Sequence, residues 1–436
     1  MAKKKKPEDE LPPITLEARG ADSDRDNQVN EIKARNSPAF PFVLRLLADA
    51  LDRRAEIILL DYTAQAVAVR YQIDGLWLNS ATLDRPTGDV MLAVLKTLAN
   101  KNIMDRRSRQ QGEFIAKYKK QKYTCTLTSQ GVQTGERATV LFDSPAFVKP
   151  KLIADLGMRE KIQEQIKDLF NLPQGFILVS APPGAGFTTL FASLLRSSDR
   201  FVRNFAEVQD VQKADKPVEN VPLTSFDSGK GETALDVLPK LIRTYPDVLV
   251  FRDLINAATL EALVDQVDLD RLIVGGIRAK EAAEALLRVQ ALGAPRDKFP
   301  PVANASINGR LVRRLCDNCK VPYAPPPQVL HQLGIPQGKV AAFFRPWEGP
   351  LPPKTEKEEP KLCENCAGLG YRGRIGIYEL LVLNDALREL LARNPSLDAF
   401  RNEARKAGMR TLQEEGIVLV AKGVTSLPEL LRVLKE

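Results

Sequence analysis

A single histidine, His331, stands among 436 residues. Chemistry that needs several imidazoles is therefore closed to this chain. His331 itself, in PPPQVLHQLGIP on a short helical stretch, reads as a surface residue rather than a ligand. Long apolar runs are missing as well, and none reaches the roughly 20 residues needed to cross a bilayer. The opening MAKKKKPEDELPP carries lysines with no apolar segment behind them, so it is not read as a secretory signal. The lysine cluster is expected to be a solvated tail, with contact to anionic lipid as the alternative. Cysteine is scarce: five residues do not make the disulfide framework of a secreted scaffold. Cys125, alone in a strand-like stretch, is expected to be a small buried hydrophobe. No basic–aromatic stripe or recognition helix supports nucleic-acid binding. The chain reads as cytosolic.

Lys+Arg exceed Asp+Glu by 63 to 55, a mildly basic balance that suits an anionic partner such as a nucleotide, a nucleic acid or an acidic membrane surface. A chain of 436 residues is too long for one core and implies two or three domains. Its 44% hydrophobic and 27% charged residues are those of a globular protein with sizeable cores.

Residues 1–37 are polar, charged and interrupted by prolines, and are expected to be disordered. From 38 to 145, a helix in FPFVLRLLADALDRR, a second in GDVMLAVLKTLANK and several strands predict a small α+β domain on an antiparallel sheet. DSPAFVKPK (143–151) reads as a linker. Beyond it, strands at 176–180, 202–208, 247–251 and 271–275 alternate with helices at 159–170, 188–197, 234–244, 257–267 and 279–292. That pattern predicts an α/β domain with a mainly parallel sheet covered on both faces. The stretch from Asn384 to Glu436 reads as helical, with Pro395 and Pro428 at helix starts.

Two motifs carry chemistry. Cys316 and Cys319 in RRLCDNCKVPY, and Cys363 and Cys366 in KLCENCAGLGYRGR, form two Cys-x-x-Cys pairs separated by 43 residues. In a reducing compartment they are expected to place four thiolates around one structural zinc, with redox pairs or free thiols as the alternatives. The second motif is ILVSAPPGAGFTT (177–189), an apolar strand feeding a turn of small residues and then a helix. It has the outline of a phosphate-binding loop, whose backbone N–H groups cradle phosphates. Pro183, Gly184, Ala185, Gly186, Thr188 and Thr189 are its candidate nucleotide contacts, with the Thr188 hydroxyl in the magnesium-binding place. Ala181 stands where the first glycine belongs and Phe187 where the lysine belongs. A unit charge about 4 Å away is worth on the order of 4 kcal/mol at an effective dielectric near 20, so its loss should weaken triphosphate binding by orders of magnitude.

From about residue 38 onward the chain resembles the GspE/PulE–PilB family of type II secretion and type IV pilus assembly ATPases. VRYQIDGLW, MDRRSRQQGEF, INGRLVRRLCDNCK, CENCAGLGYRGRIGIYELL and EARKAGMRTLQEEGIVLVAKGVTSLPELLRV are each similar to a segment of that family, in the family's order. The resemblance implies a RecA-like P-loop NTPase core behind the α+β domain. It also implies a four-cysteine zinc insertion and a C-terminal helical subdomain. On that basis the core is expected over 146–312, the zinc subdomain with its Pro-rich loop (349–361, read as solvated) over 313–382, and the helical subdomain over 383–436. It further implies hexameric rings with nucleotide at subunit interfaces, acting in the cytoplasm beneath the inner membrane against a platform membrane protein.

The chain departs from the family at four nucleotide-handling elements. The loop lysine is Phe187. The Asp box is VQDV, with Gln209 for a carboxylate and Asp210 retained. The Walker B region is LVFRDLIN, which places Asp253 at the water-activating glutamate and Ile255 at an arginine. The His box is GGIRA, with Arg278 for histidine. An aspartate falls about 1.5 Å short of a glutamate, enough to spoil an in-line geometry. In the first domain, EIILLDY also lacks the family's Asp-Ile-His. The first expectation is thus a pseudo-ATPase or weak ATPase serving as a structural or regulatory subunit, with Asp253 and Asp210 as the residual catalytic candidates and ATP/Mg binding weakened. The alternative is an active motor in which Arg252 and Arg278 replace the lost charge. A third reading is a basic RecA-like module for nucleic acid, carried by net charge alone.

Overall fold

The computed structural model describes residues 11–143, 151–336, 338–347, 349–351 and 360–435. The chain divides into two compact units, Met1–Lys149 and Pro150–Glu436. The expected linker lies mostly outside the described residues, as does most of the Pro-rich loop.

The first unit runs β1 (Ile14–Ala18), α1 (Asp24–Arg35), α2 (Phe40–Asp52), β2 (Ile57–Tyr62), β3 (Ala66–Ile73), β4 (Leu76–Asp84), α3 (Arg85–Leu98), β5 (Gln110–Tyr118), β6 (Gln121–Val132) and β7 (Gly135–Asp143). Its seven strands form one sheet in the order β1-β5-β6-β7-β2-β3-β4, with every pairing antiparallel. Strict alternation in β3 buries Val67, Val69, Tyr71 and Ile73 on one face. The helices cover that face with Val43, Leu47, Met91 and Leu95. Cys125 is buried, and burial pushes its thiol up. Buried Lys96 pairs with Glu136 at 2.5 Å and donates to the Asp105 carbonyl at 2.8 Å, which anchors the segment carrying MDRRSR.

The expectation of a disordered tail over 1–37 is corrected where residues are described. In ITLEA, Ile14, Leu16 and Ala18 are buried and pair with β5. Ser23 caps α1 by accepting the Asp26 N–H at 3.1 Å, and Lys33 and Arg35 close its last turn. The helix buries only Ala34, so its composition resembles that of a solvated tail. The lysine cluster lies outside the described residues.

The second unit continues with α4 (Glu160–Phe170), β8 (Gly175–Ser180), α5 (Phe187–Arg196), β9 (Phe205–Asp210), β10 (Leu223–Phe226), α6 (Ala234–Ile242), β11 (Val248–Phe251), α7 (Ala257–Val267), β12 (Leu272–Ile277), α8 (Ala282–Ala291), α9 (Phe299–Val302) and β13 (Ala303–Leu315). It is completed by β14 (Val321–Tyr323), α10 (Pro327–Gln332), β15 (Phe343–Arg345), β16 (Pro350–Leu351), β17 (Lys361–Leu362), β18 (Tyr371–Val382), α11 (Asp385–Ala392), α12 (Leu397–Lys406), α13 (Leu412–Ala421) and α14 (Leu427–Lys435). The main sheet has the order β10-β9-β11-β12-β8-β13-β18, parallel throughout except for the antiparallel β13–β18 pair. Both faces are buried, which is why its inner strands are continuous apolar runs. Phe176 and Leu178 of β8 join the core under α6, α7, α8, α11 and α12, while Ile177 and Val179 join the one under α4 and α5.

Residues 313–382 do not form the separate subdomain expected from the sequence. The ends of that span belong to β13 and β18, two strands of the main sheet, and only the part between them stands apart. Glu379 on β18 ties two helices to the sheet. Its carboxylate accepts the first N–H of α8 (Ala282, 2.9 Å) and of α13 (Leu412, 3.0 Å), satisfying two otherwise orphaned donors. At the C-terminus, Glu429 accepts from the Arg313 backbone N–H (3.0 Å) and guanidinium (2.8 Å) and from Arg432 (2.7 Å). Burial pushes the Glu429 carboxyl up, but the hydrogen bonds from Arg432 and Arg313 outweigh burial and hold it below the usual carboxylate range.

Glu379→Ala leaves two buried helix N-termini without an acceptor and should cost about 2–4 kcal/mol, read as a lowered denaturation midpoint. A depressed carboxylate contributes stability above its unfolded value of about 4.3, and that contribution is lost as pH falls through the folded value. Hydrogen exchange on acidification should therefore show α14 loosening early in wild type, and Glu429→Gln should already be loose at neutral pH.

Candidate functional site

Strand β8 ends at Ser180 in the middle of the sheet, and the turn 181–186 leads directly into α5. Gly184 and Gly186 take left-handed φ values of 75° and 84°, which side chains disfavour, so the cradle backbone needs glycine there. No side chain caps α5, so the amides of its first turn remain available to an anion. Thr188 and Thr189 lie exposed on that turn, beside exposed Pro183 and half-buried Ala185.

Phe187 turns inward. It is 6% exposed and packs against Phe191 with ring centroids 5.4 Å apart. A Cβ added at Gly276 of β12 would lie 2.6 Å from Phe187 Cζ, so the ring fills the space that this glycine leaves. The Arg278 guanidinium lies over the same ring, 4.6 Å from its centroid, while Arg278 stays exposed. The loop thus contributes an aromatic platform and no charge of its own.

A pocket of about 90 Å³ beside Phe187 gathers Gln209, Asp210, Lys213, Asp215, Arg252, Asp253 and Arg278 at the C-terminal ends of β9, β11 and β12. Ligands meet parallel sheets at such strand ends. The structure therefore brings together Asp210, Asp253, Arg252 and Arg278, all named from the sequence. Pro183, Gly184, Ala185, Gly186, Thr188 and Thr189 do not line it. Asp210 accepts from Ser228 Oγ at 2.5 Å, and that hydroxyl holds its carboxyl below the ordinary range. Asp253 pairs with Lys213 at 2.9 Å. Arg252 is buried and bonded to Glu207, a fully buried carboxylate, and to Asp215 at 3.0 Å. The Asp215 carboxylate also accepts from Thr188 Oγ1 at 3.2 Å. Sequence reasoning missed Glu207, Lys213 and Asp215. Their only signal was a run of charged residues around the Asp box, which is indistinguishable from a solvated turn.

The second site holds the four cysteines. All are buried, and their sulfurs lie within 4.8 Å of one another, close enough to hold one metal ion. Cys316 Sγ and Cys363 Sγ are 3.8 Å apart, and Cys319 Sγ and Cys366 Sγ 3.6 Å. Four sulfurs about 2.3 Å from a central zinc define a tetrahedron with edges of about 3.8 Å, so the set fits a tetrahedral ion. Outer donors are in place: Asn365 Nδ2 donates to Cys316 Sγ at 3.2 Å and the Gly370 N–H to Cys366 Sγ at 3.3 Å. Burial pushes the Cys316 thiol up, but the Asn365 amide, the Asn318 N–H and the neighbouring thiols outweigh it and hold it at about 7. His331, on α10, is not part of this cluster.

Comparison with known proteins identifies the family. Residues 33–432 match the family described as Type II/IV secretion system protein. The type IV pilus assembly ATPase PilB of Thermus thermophilus is 27% identical over 397 residues, covering 91% of this chain and 43% of that protein. The HofB homolog of Escherichia coli, a protein transport protein, is 27% identical over 92% of this chain and 83% of its own length. The type II secretion system ATPase E of Vibrio cholerae is 26% identical over 97% of this chain and 82% of its own. The chain thus spans less than half the length of the Thermus relative. Among solved structures, the pilus retraction motor PilT matches with a TM-score of 0.53 at 16% identity, over 89% of this chain and 96% of that one. The Legionella pneumophila ATPase DotB matches at 0.57 and 11%, over 90% and 95%. At such identities these two speak for the fold alone. With the family matched over nearly its whole length, the chain belongs to the Type II/IV secretion system proteins, the family of GspE, PilB and HofB.

Proposed function

We propose that this chain is a pseudo-ATPase or weak ATPase of the secretion and pilus-assembly motors, serving as a structural or regulatory subunit. The observation that carries it is the buried Phe187 ring, which fills the lysine position without supplying a cation. Arg252, one candidate replacement, is already committed to Glu207 and Asp215. Phosphoryl transfer depends on charge and positioning, and both are degraded at this loop. Asp253 and Asp210 are the residual catalytic candidates, but Lys213 and Ser228 engage them. Under this proposal the second unit is a RecA-like core that retains its assembly surfaces. It enters a hexameric ring, homomeric or mixed with an active relative, in the cytoplasm at the inner membrane against a platform protein. The four cysteines hold a structural zinc, since four thiolates leave no open position for chemistry.

Arg278 favours a second reading. Its exposed guanidinium, poised on the Phe187 ring at the pocket, could take a phosphate in place of the missing lysine. An active, compensated motor follows from that.

Mg-ATP titration and phosphate-release kinetics, run beside an active relative, separate the two. Wild type should hydrolyse at least a hundredfold more slowly than the relative, and Phe187→Lys should bind Mg-ATP at least tenfold more tightly than wild type. Hydrolysis at the relative's rate, abolished by Arg278→Ala, would instead establish the compensated motor. Elemental analysis of purified protein should find one zinc per chain, and its removal by a chelator should lower the melting temperature; folded, zinc-free protein of unchanged stability would contradict the metal assignment.

A further inference from the structure

The segment that follows β9 lies across the end of β11 through two ion pairs of opposite polarity. Beyond β11 the chain presents an arginine and then an aspartate, Arg252 and Asp253. The segment answers with Asp215 against Arg252 at 3.0 Å and Lys213 against Asp253 at 2.9 Å. A two-residue slip would set Lys213 against Arg252, so like-charge repulsion selects one register. Backbone contacts pin the segment further. The Asp215 N–H donates to Gln209 Oε1 at 2.7 Å, and the Gln212 N–H donates to Asp210 at 3.1 Å.

The consequence falls on the cradle. The pinned Asp215 carboxylate accepts from Thr188 Oγ1 at 3.2 and 3.3 Å, on a helix whose first turn no side chain caps. A helix N-terminus behind a glycine turn favours an anion, and a carboxylate of the chain itself already takes the hydroxyl on the first turn of this one. The surrounding polar groups are only partly satisfied. Arg252 is more than nine-tenths buried, and its Nη2 has no hydrogen-bond partner among the described residues; the same holds for Gln209 Nε2 and Glu207 Oε2. A buried guanidinium with a donor to spare is the feature that a phosphate oxygen would complete.

We propose that residues 211–216 form a strap that closes the cradle, with Asp215 as a built-in competitor for phosphate. A polyphosphate binds by displacing Asp215 from Thr188 and from Arg252. Glu207 keeps the guanidinium in place after the exchange, and the same movement frees Asp253 from Lys213. The strap rests on the weakened-site reading and deepens it: the cradle is closed by a carboxylate as well as deprived of a lysine. Gln209 of the Asp box and Arg252 of LVFRDLIN then act together, because both hold Asp215.

The test compares full-length wild type, Asp215→Asn and Asp215→Ala by calorimetric titration with Mg-ATP, tripolyphosphate and adenosine. Both variants should bind Mg-ATP and tripolyphosphate at least tenfold more tightly than wild type, with adenosine unchanged, because only the phosphate end competes with a carboxylate. Should the alanine variant lose its fold, the near-isosteric asparagine carries the comparison, and thermal melting monitors both. Binding that is equal or weaker in the variants, or undetectable in all three proteins, overturns the strap. A gain shared by adenosine overturns it too, by locating the effect at the base. The wild-type affinity alone tests the weakened site and the variant-to-wild-type ratio tests the strap, so each can fail without the other.

Discussion

A positive charge buried at the end of a central strand must find a negative one, and Arg252 sets the arrangement around it. Leaving such a charge unpaired in a folded interior costs several kcal/mol. Glu207, fully buried on the neighbouring strand β9, is its first partner. Asp215 is the second, and reaching Arg252 draws residues 211–216 over the pocket. The turn keeps glycine at 184 and 186, while its neighbouring side chains turn inward to an aromatic ring and a partly satisfied polar network.

Much of this architecture was legible in the sequence because it rests on strong local signals. The helices expected over 159–170, 188–197 and 257–267 and the strands over 176–180 and 247–251 rest on apolar periodicity and run length, and the structure places each within one residue of those bounds. The cysteine cluster was legible from spacing alone, since thiols in two such pairs have few other uses. β1 and α1 were hidden for the opposite reason. A five-residue strand and a helix with one buried residue are held by pairing with β5 and by the Ser23 cap, which composition does not display. β13 and β18 were hidden as well, because their motif content drew attention to the cysteines between them.

The candidate nucleotide site was half legible. The missing lysine is a one-residue observation, but its meaning depends on where the replacing ring points and on who holds the neighbouring arginines. Arg252 read as a candidate phosphate ligand, and the fold gives it two carboxylates. Lys213 and Asp215 read as ordinary turn residues, and the fold sets them against Asp253 and Thr188. Long-range charge pairing of this kind leaves no periodic trace in a chain.

Outside the pocket, the C-terminal helices are firmly tied to the sheet. Glu379 holds α8 and α13 to the sheet, and Glu429 binds α14 to β13. The most direct check is a structure of the protein crystallised with magnesium and a non-hydrolysable ATP analogue. At an analogue concentration below the weak wild-type dissociation constant, the account predicts Asp215 still seated on Thr188 and Arg252, with no nucleotide in the cradle. Magnesium on the Thr188 hydroxyl and the Arg278 guanidinium on the terminal phosphoryl group would contradict it.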